Sequence, residues 1–135
     1  MFLLLAKWCR PFPGLPQQVA EARYFVAALM EAEGPRMVEN AVLIVSELAS
    51  NAVRHSRSGR KGGWFLVVVV LDDDRVRIEV IDEGGDDRPQ LLAANDWEEE
   101  GGRGLLLMAT CAKDWGVKDR MHGRSVWAEL TRAGA

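Results

Sequence analysis

The stretch from about Arg36 to His55 carries two stripes at once, and together they dictate what the rest of the chain must supply. An α-helix turns by about 100° per residue, so side chains three and four apart share a face. Val38, Ala41, Val42, Val45, Leu48, Ala49 and Ala52 recur at those spacings and form an apolar stripe that has to be buried against another element. On the other side, Glu47, Asn51 and His55 sit four residues apart and line up as a carboxylate, a carboxamide and an imidazole. Such a stripe is either the solvated face of an amphipathic helix or, with its hard oxygen donors and a base, one wall of a metal-phosphate site.

A partner layer for that helix follows in the sequence. Trp64 to Leu71 is a continuous valine-rich apolar run, expected as a strand covered on both faces or nearly so. Asp72-Asp73-Asp74 is a tight polar turn by composition. Beyond it Val76, Ile78 and Val80 alternate with Arg75, Arg77 and Glu79, the period of a half-buried strand, and the two strands make an antiparallel hairpin. Upstream, residues 2 to 10 read as a first strand closed by Pro11, Pro13 and Gly14. Pro16 suits a first helical position, and Val19, Ala22, Phe25, Val26, Leu29 and Met30 mark an amphipathic helix stopped by Gly34-Pro35.

Ser56 to Gly63 is an exposed loop by its serine, glycine and basic content. Residues 86 to 101 are acidic and poor in aliphatic packing, which fits a lid, a disordered connector or a short helical insert. A third helix is expected from Leu105 to about Lys113. Two closing strands, Trp115 to Lys118 and Arg124 to Thr131, flank a turn; in the second, Val126, Ala128 and Leu130 alternate against Trp127, Glu129 and Thr131.

With 135 residues, 48% hydrophobic and 27% charged, the chain is expected to be a single globular domain, residues 1–135, with a core that needs no metal or disulfide. The net charge of −3 argues against a broad surface for nucleic acid. Phe2-Leu3-Leu4-Leu5-Ala6 is too short to span a bilayer. Cys9 and Cys111 have no metal-like spacing and read as reduced thiols, so the expected location is cytoplasmic, away from membranes.

Two further places carry chemistry. Asp82 ends a strand and is followed by Glu83-Gly84-Gly85, so it is either an ordinary strand-end turn or a carboxylate placed to accept from an exocyclic amine, with the glycines letting a ligand approach. Gly101-Gly102-Arg103-Gly104-Leu105 precedes the third helix, where free amides at a positive helix end favour an anion. It is neither a P-loop nor a dinucleotide fingerprint, lacking both the Gly-Lys-Ser/Thr ending and a preceding β-α-β unit.

The order Glu47-x3-Asn51-x3-His55, then Asp82-x-Gly84, then Gly102-x-Gly104-Leu105 resembles the ATP-binding domain of the GHKL superfamily, which includes gyrase, histidine-kinase and MutL ATPases. Val45 to His55, Arg103-Gly104-Leu105 and the ending Ser125-Val126-Trp127-Ala128-Glu129-Leu130 are similar to its anti-sigma-factor serine/threonine kinase branch. The resemblance runs from Arg10-Pro11-Phe12-Pro13-Gly14 to Leu130. It implies an α/β (α+β) two-layer sandwich: a mixed, mostly antiparallel sheet with three helices on one face, the Bergerat ATP-binding fold.

It also implies roles. Asn51 takes the position of the magnesium ligand, Glu47 that of the carboxylate that orients or deprotonates the attacking hydroxyl, and Asp82 that of the group reading the adenine amine, with Gly84 admitting the ring. Ser125 stands where such folds carry a hydroxyl near the base, and Gly102, Arg103, Gly104 and Leu105 where they bind phosphate. Arg54 and His55, at the end of the same helix, fall within reach of phosphate, and Arg23 resembles an arginine used toward partner or phosphate. The cofactors implied are ATP and Mg2+. The function implied is an anti-sigma regulator that binds a sigma factor and phosphorylates a serine on a small STAS-type antagonist, in a chain that can form a homodimer. A module that holds nucleotide or partner without turnover is the alternative. Two departures from the pattern bear on affinity: Asp82 to Asp87 is unusually acidic and lacks a later glycine, and Glu98-Glu99-Glu100 adds negative charge.

Overall fold

The computed structural model describes residues 3–85, 110–121 and 123–132. In chain order these give β1 (Leu4–Pro13), α1 (Pro16–Met30), a 3-10 turn (Glu31–Glu33), α2 (Pro35–His55), a second 3-10 turn (Arg57–Gly59), β2 (Trp64–Asp72), β3 (Arg75–Asp82), β4 (Asp114–Arg120) and β5 (Gly123–Thr131). The strands form one sheet in the order β1-β2-β3-β5-β4. Every described pairing is antiparallel, so the sheet is not mixed as expected. Two α-helices stand among the described residues rather than three. The span expected for the third, Leu105 to about Lys113, lies mostly outside the described residues, of which Thr110 and Cys111 are helical and Ala112 is not.

Register explains the two layers. Val67 pairs with Val80 and Val69 with Ile78, while Ile78 pairs with Ala128 and Val80 with Val126. Paired residues share a face, so one side of the sheet becomes a continuous apolar surface. Phe65, Val67, Val69, Ile78 and Ala128 are fully buried there. Against it α2 sets Ala41, Ile44, Val45, Leu48, Ala49 and Ala52. Met37 and Ile44 are buried where Val38 and Val42 are only half-buried, a small rotation of the stripe read from sequence. Phe12 of β1 stacks on Phe65 (centroids 5.4 Å apart) and meets Phe25 of α1 edge-on at 5.9 Å, which ties α1 to the same face.

The valine run of β2 therefore has a helix layer on one face only. Its other face holds buried Val68 between half-buried Leu66 and Val70, beside Arg77, Glu79, Trp127 and Glu129, a side with no helix layer among the described residues. Ion pairs and the Arg77 guanidinium stacked 4.2 Å over Trp127 clothe it instead. The prolines did not end β1 either; Pro11 and Pro13 pair with Leu66 and Trp64. An edge strand needs donors on one side only, so a missing N–H is tolerated there.

Candidate functional site

The C-terminal end of α2 and the end of β3 are stitched together by the segment between them. Ser56 Oγ donates to the Ala52 carbonyl (2.6 Å) and accepts from the Ser58 amide (3.0 Å), turning the chain sharply after the helix. The amide of Arg57 then donates to the Gly84 carbonyl at 2.7 Å, and Ser58 Oγ accepts from the Glu83 amide at 2.9 Å. Glu83 closes the set by accepting from the Trp64 amide at 2.8 Å. A Cβ on Gly85 would stand 3.3 Å from the His55 carbonyl, so the turn after Asp82 lies against the helix end.

On α2, Glu47 and Asn51 are half-buried, while Arg54 and His55 in the last turn are exposed. Burial raises the Glu47 carboxyl above 4.5, and the nearby Arg54 charge lowers it again in part. One residue before Glu47, Ser46 Oγ accepts from Arg23 Nη1 of α1 at 3.1 Å, so Arg23 is held beside the polar stripe.

Asp82 is 5% exposed. Its Oδ1 accepts from the Gly84 amide at 2.7 Å, and Oδ2 stands 3.7 Å from Arg124 Nε. Burial raises its pKa, offset in part by the Gly84 amide and the Arg124 charge. Gly84 turns with φ +74°, and a Cβ on Gly123 would meet the Asp82 carbonyl oxygen at 2.1 Å, so β5 begins in direct contact with the end of β3.

The structure brings Glu47, Asn51, Arg54 and His55 onto one helix and sets the Asp82–Gly84 turn against that helix's end. It does not bring Ser125 to Asp82. Ser125 pairs with Ile81, and its hydroxyl is bonded to Glu79 and, at 3.2 Å, to Arg120 Nε, on the face away from α2. The residue that meets Asp82 is its register partner Arg124, which the sequence reading passed over. The signal for it was present: in a strand whose Val126, Ala128 and Leu130 point inward, residue 124 points inward too and 125 does not. Gly102, Arg103, Gly104 and Leu105 lie outside the described residues, as does the acidic segment 86–101.

A cavity of about 580 Å³ sits at the other end of α2, bounded by Pro35, Met37, Asn40, Cys111 and Leu130. With α2 spanning Pro35 to His55, a helix of that length puts it roughly 30 Å from the Asp82 turn. Among the described residues no group of three or more His, Cys, Asp or Glu is placed to hold a metal ion. A magnesium ion that keeps most of its waters and takes its charge partners from phosphate suits a single carboxamide such as Asn51 better than a protein cage would. No helix among the described residues is long and apolar enough to cross a membrane.

An antiparallel sheet with a polar-striped helix across it, and a buried carboxylate at the end of the strand beneath, is the arrangement of a known domain class. The model of the histidine kinase-like ATPase domain matches residues 12–130, and the chain belongs to that family, in the branch of the anti-sigma factors. It is 30% identical over 105 residues to the anti-sigma F factors of Bacillus thuringiensis and Bacillus cytotoxicus, covering 72% of this chain and 72% of each of those proteins. The anti-sigma F factor of Bacillus mycoides is similar to the same extent. Membership in a family of ATPase domains implies that this chain binds ATP.

Proposed function

We propose that this chain is an ATP-dependent protein serine/threonine kinase that acts as an anti-sigma regulator, binding a sigma factor and phosphorylating a serine of a small STAS-type antagonist. The observation that carries it is the junction of α2 with the Asp82 turn, where Arg57 N–H holds the Gly84 carbonyl at 2.7 Å. That junction sets the acceptor for an exocyclic amine beside the helix whose outer face offers Asn51 and Glu47. Asn51 is the protein's ligand for Mg2+, whose bound charge offsets that of the phosphates. Glu47 accepts the hydroxyl proton of the incoming serine, for which its burial-raised basicity is suited. Gly84 admits the base, and Arg54, His55, Gly102, Arg103, Gly104 and Leu105 serve the phosphates.

The similarity to the anti-sigma F factors supports the sigma-factor partner. The edge position of β1, with Leu4 and Leu5 at 60% and 50% exposure, supports a homodimer. The setting proposed is the cytoplasm. The test is transfer of labelled γ-phosphate to a serine-bearing antagonist. The expected result is transfer by the native chain and none by Glu47→Ala, with ATP binding kept in both. Binding without transfer in the native chain would leave the non-catalytic module as the function.

A further inference from the structure

The carboxylate that reads the base in the reading above is already engaged by the protein. Asp82 and Arg124 are 5% and 3% exposed, face each other in register across β3 and β5, and approach to 3.7 Å. Oδ1 of Asp82 is taken by the Gly84 amide, and Oδ2 faces the guanidinium. An incoming exocyclic amine and Arg124 therefore compete for the same oxygen. Neither backbone can yield, because Gly123, next to Arg124, has no room even for a Cβ against the Asp82 carbonyl.

On its other flank Arg124 is in register with Asp119 of β4, an exposed carboxylate on the same face of the sheet. The guanidinium thus has a carboxylate on each side, one buried and one at the surface. Moving between them changes side-chain torsions only and leaves the ladder intact.

We propose that Arg124 determines the selectivity of the nucleotide site by exchanging between Asp82, when no base is bound, and Asp119, when a base bearing an exocyclic amine takes its place. The inference rests on the nucleotide reading of the site. Its physical content is a built-in competitor. Nucleotide must displace the 3.7 Å ion pair at Asp82, so affinity is held down by the population of the closed arrangement. A base without the amine gains nothing from the freed carboxylate and leaves it buried without its partner.

Calorimetric titration with Mg-ATP and Mg-ITP, whose base carries a carbonyl in place of the amine, tests this on the native chain, Arg124→Thr and Asp119→Asn. Arg124→Thr removes the competitor and is expected to bind ATP about tenfold tighter, roughly one charge-assisted hydrogen bond made without displacement, and to widen the preference for ATP over ITP. Asp119→Asn, at an exposed position, removes the second seat and is expected to weaken ATP severalfold, so the proposal stays testable if Arg124→Thr does not fold. Melting curves without nucleotide accompany the titrations, since a merely structural ion pair would lower stability in Arg124→Thr without moving the ATP-to-ITP ratio. Unchanged or weaker ATP binding by Arg124→Thr, or native affinity in Asp119→Asn, would overturn the proposal while the nucleotide reading stands. No binding of either nucleotide by any of the three would overturn both.

Discussion

Glu47 is a carboxylate kept where burial penalises its charge, and that cost is a direct handle on its role. The folded chain raises its pKa, so near neutral pH the ionised group weakens the folded state relative to the unfolded one. Glu47→Gln removes the charge and is expected to raise the melting temperature at pH 7. The gain should shrink as pH falls through the raised pKa and vanish below 4.5, where the native carboxyl becomes protonated in both states. In the transfer assay the acid limb of the rate should lie above 4.5 for the same reason. A melting temperature for Glu47→Gln below that of the native chain at pH 7 would mean that Glu47 is held by stabilising contacts and not by desolvation.

Glycine at position 123 has a different kind of necessity. A methyl group there would stand 2.1 Å from the Asp82 carbonyl oxygen, closer than atoms can approach, and the neighbour is backbone. Gly123→Ala is expected to cost about 1–3 kcal/mol in chemical denaturation, as other overpacked sites do, and to weaken ATP binding by pushing β5 away from the end of β3. Unaltered stability would show that the two strands can separate freely.

Among the elements, α2 was the most legible in the sequence because one residue pattern specified both its buried and its polar side. Its bounds, Pro35–His55, fall within a residue of the expected ones. β3 was equally clear, its alternation reproduced in burial along its whole length. β1 runs past the end that its prolines predict, because an edge strand tolerates them. In β5 the strand was legible, and so was its pleat, which turns Arg124 toward Asp82 and Ser125 to the opposite face. The stitching serines, Ser56 and Ser58, carried no periodic signal; only the folded loop shows that they tie α2 to β3. Packing between elements gives its own test. Phe65 is wholly buried and stacked on Phe12, so Phe65→Ala is expected to cost about 3–5 kcal/mol by urea denaturation, and a loss under 1 kcal/mol would mean that β1 is not clamped to the core.

At the scale of the molecule, one sheet separates two environments. Its helix-covered face is hydrocarbon ending in the Asp82–Arg124 pair, while its other face is a ladder of charges beginning at the β2–β3 turn. There, burial pushes the Asp72 carboxyl up, but the Arg75 side chain at 3.0 Å and the amides of Asp74 and Arg75 outweigh it and hold the group below 3.8. A lowered folded pKa stabilises the protein above the unfolded value and is lost as pH falls through the folded one. Asp72→Asn is therefore expected to lower the melting temperature at neutral pH, with the difference from the native chain narrowing below pH 3.8, and a constant difference down to pH 2 would contradict the assignment.

The two environments matter because the proposed nucleotide site is where the covered face ends, between α2 and the last residues of β3. The most direct measurement of that placement is calorimetric titration of ATP into the native chain and Asn51→Ala, each with and without magnesium. Saturable binding that needs magnesium in the native chain and is lost in Asn51→Ala is the expected result; equal affinities in all four titrations, or no binding by the native chain, would contradict it.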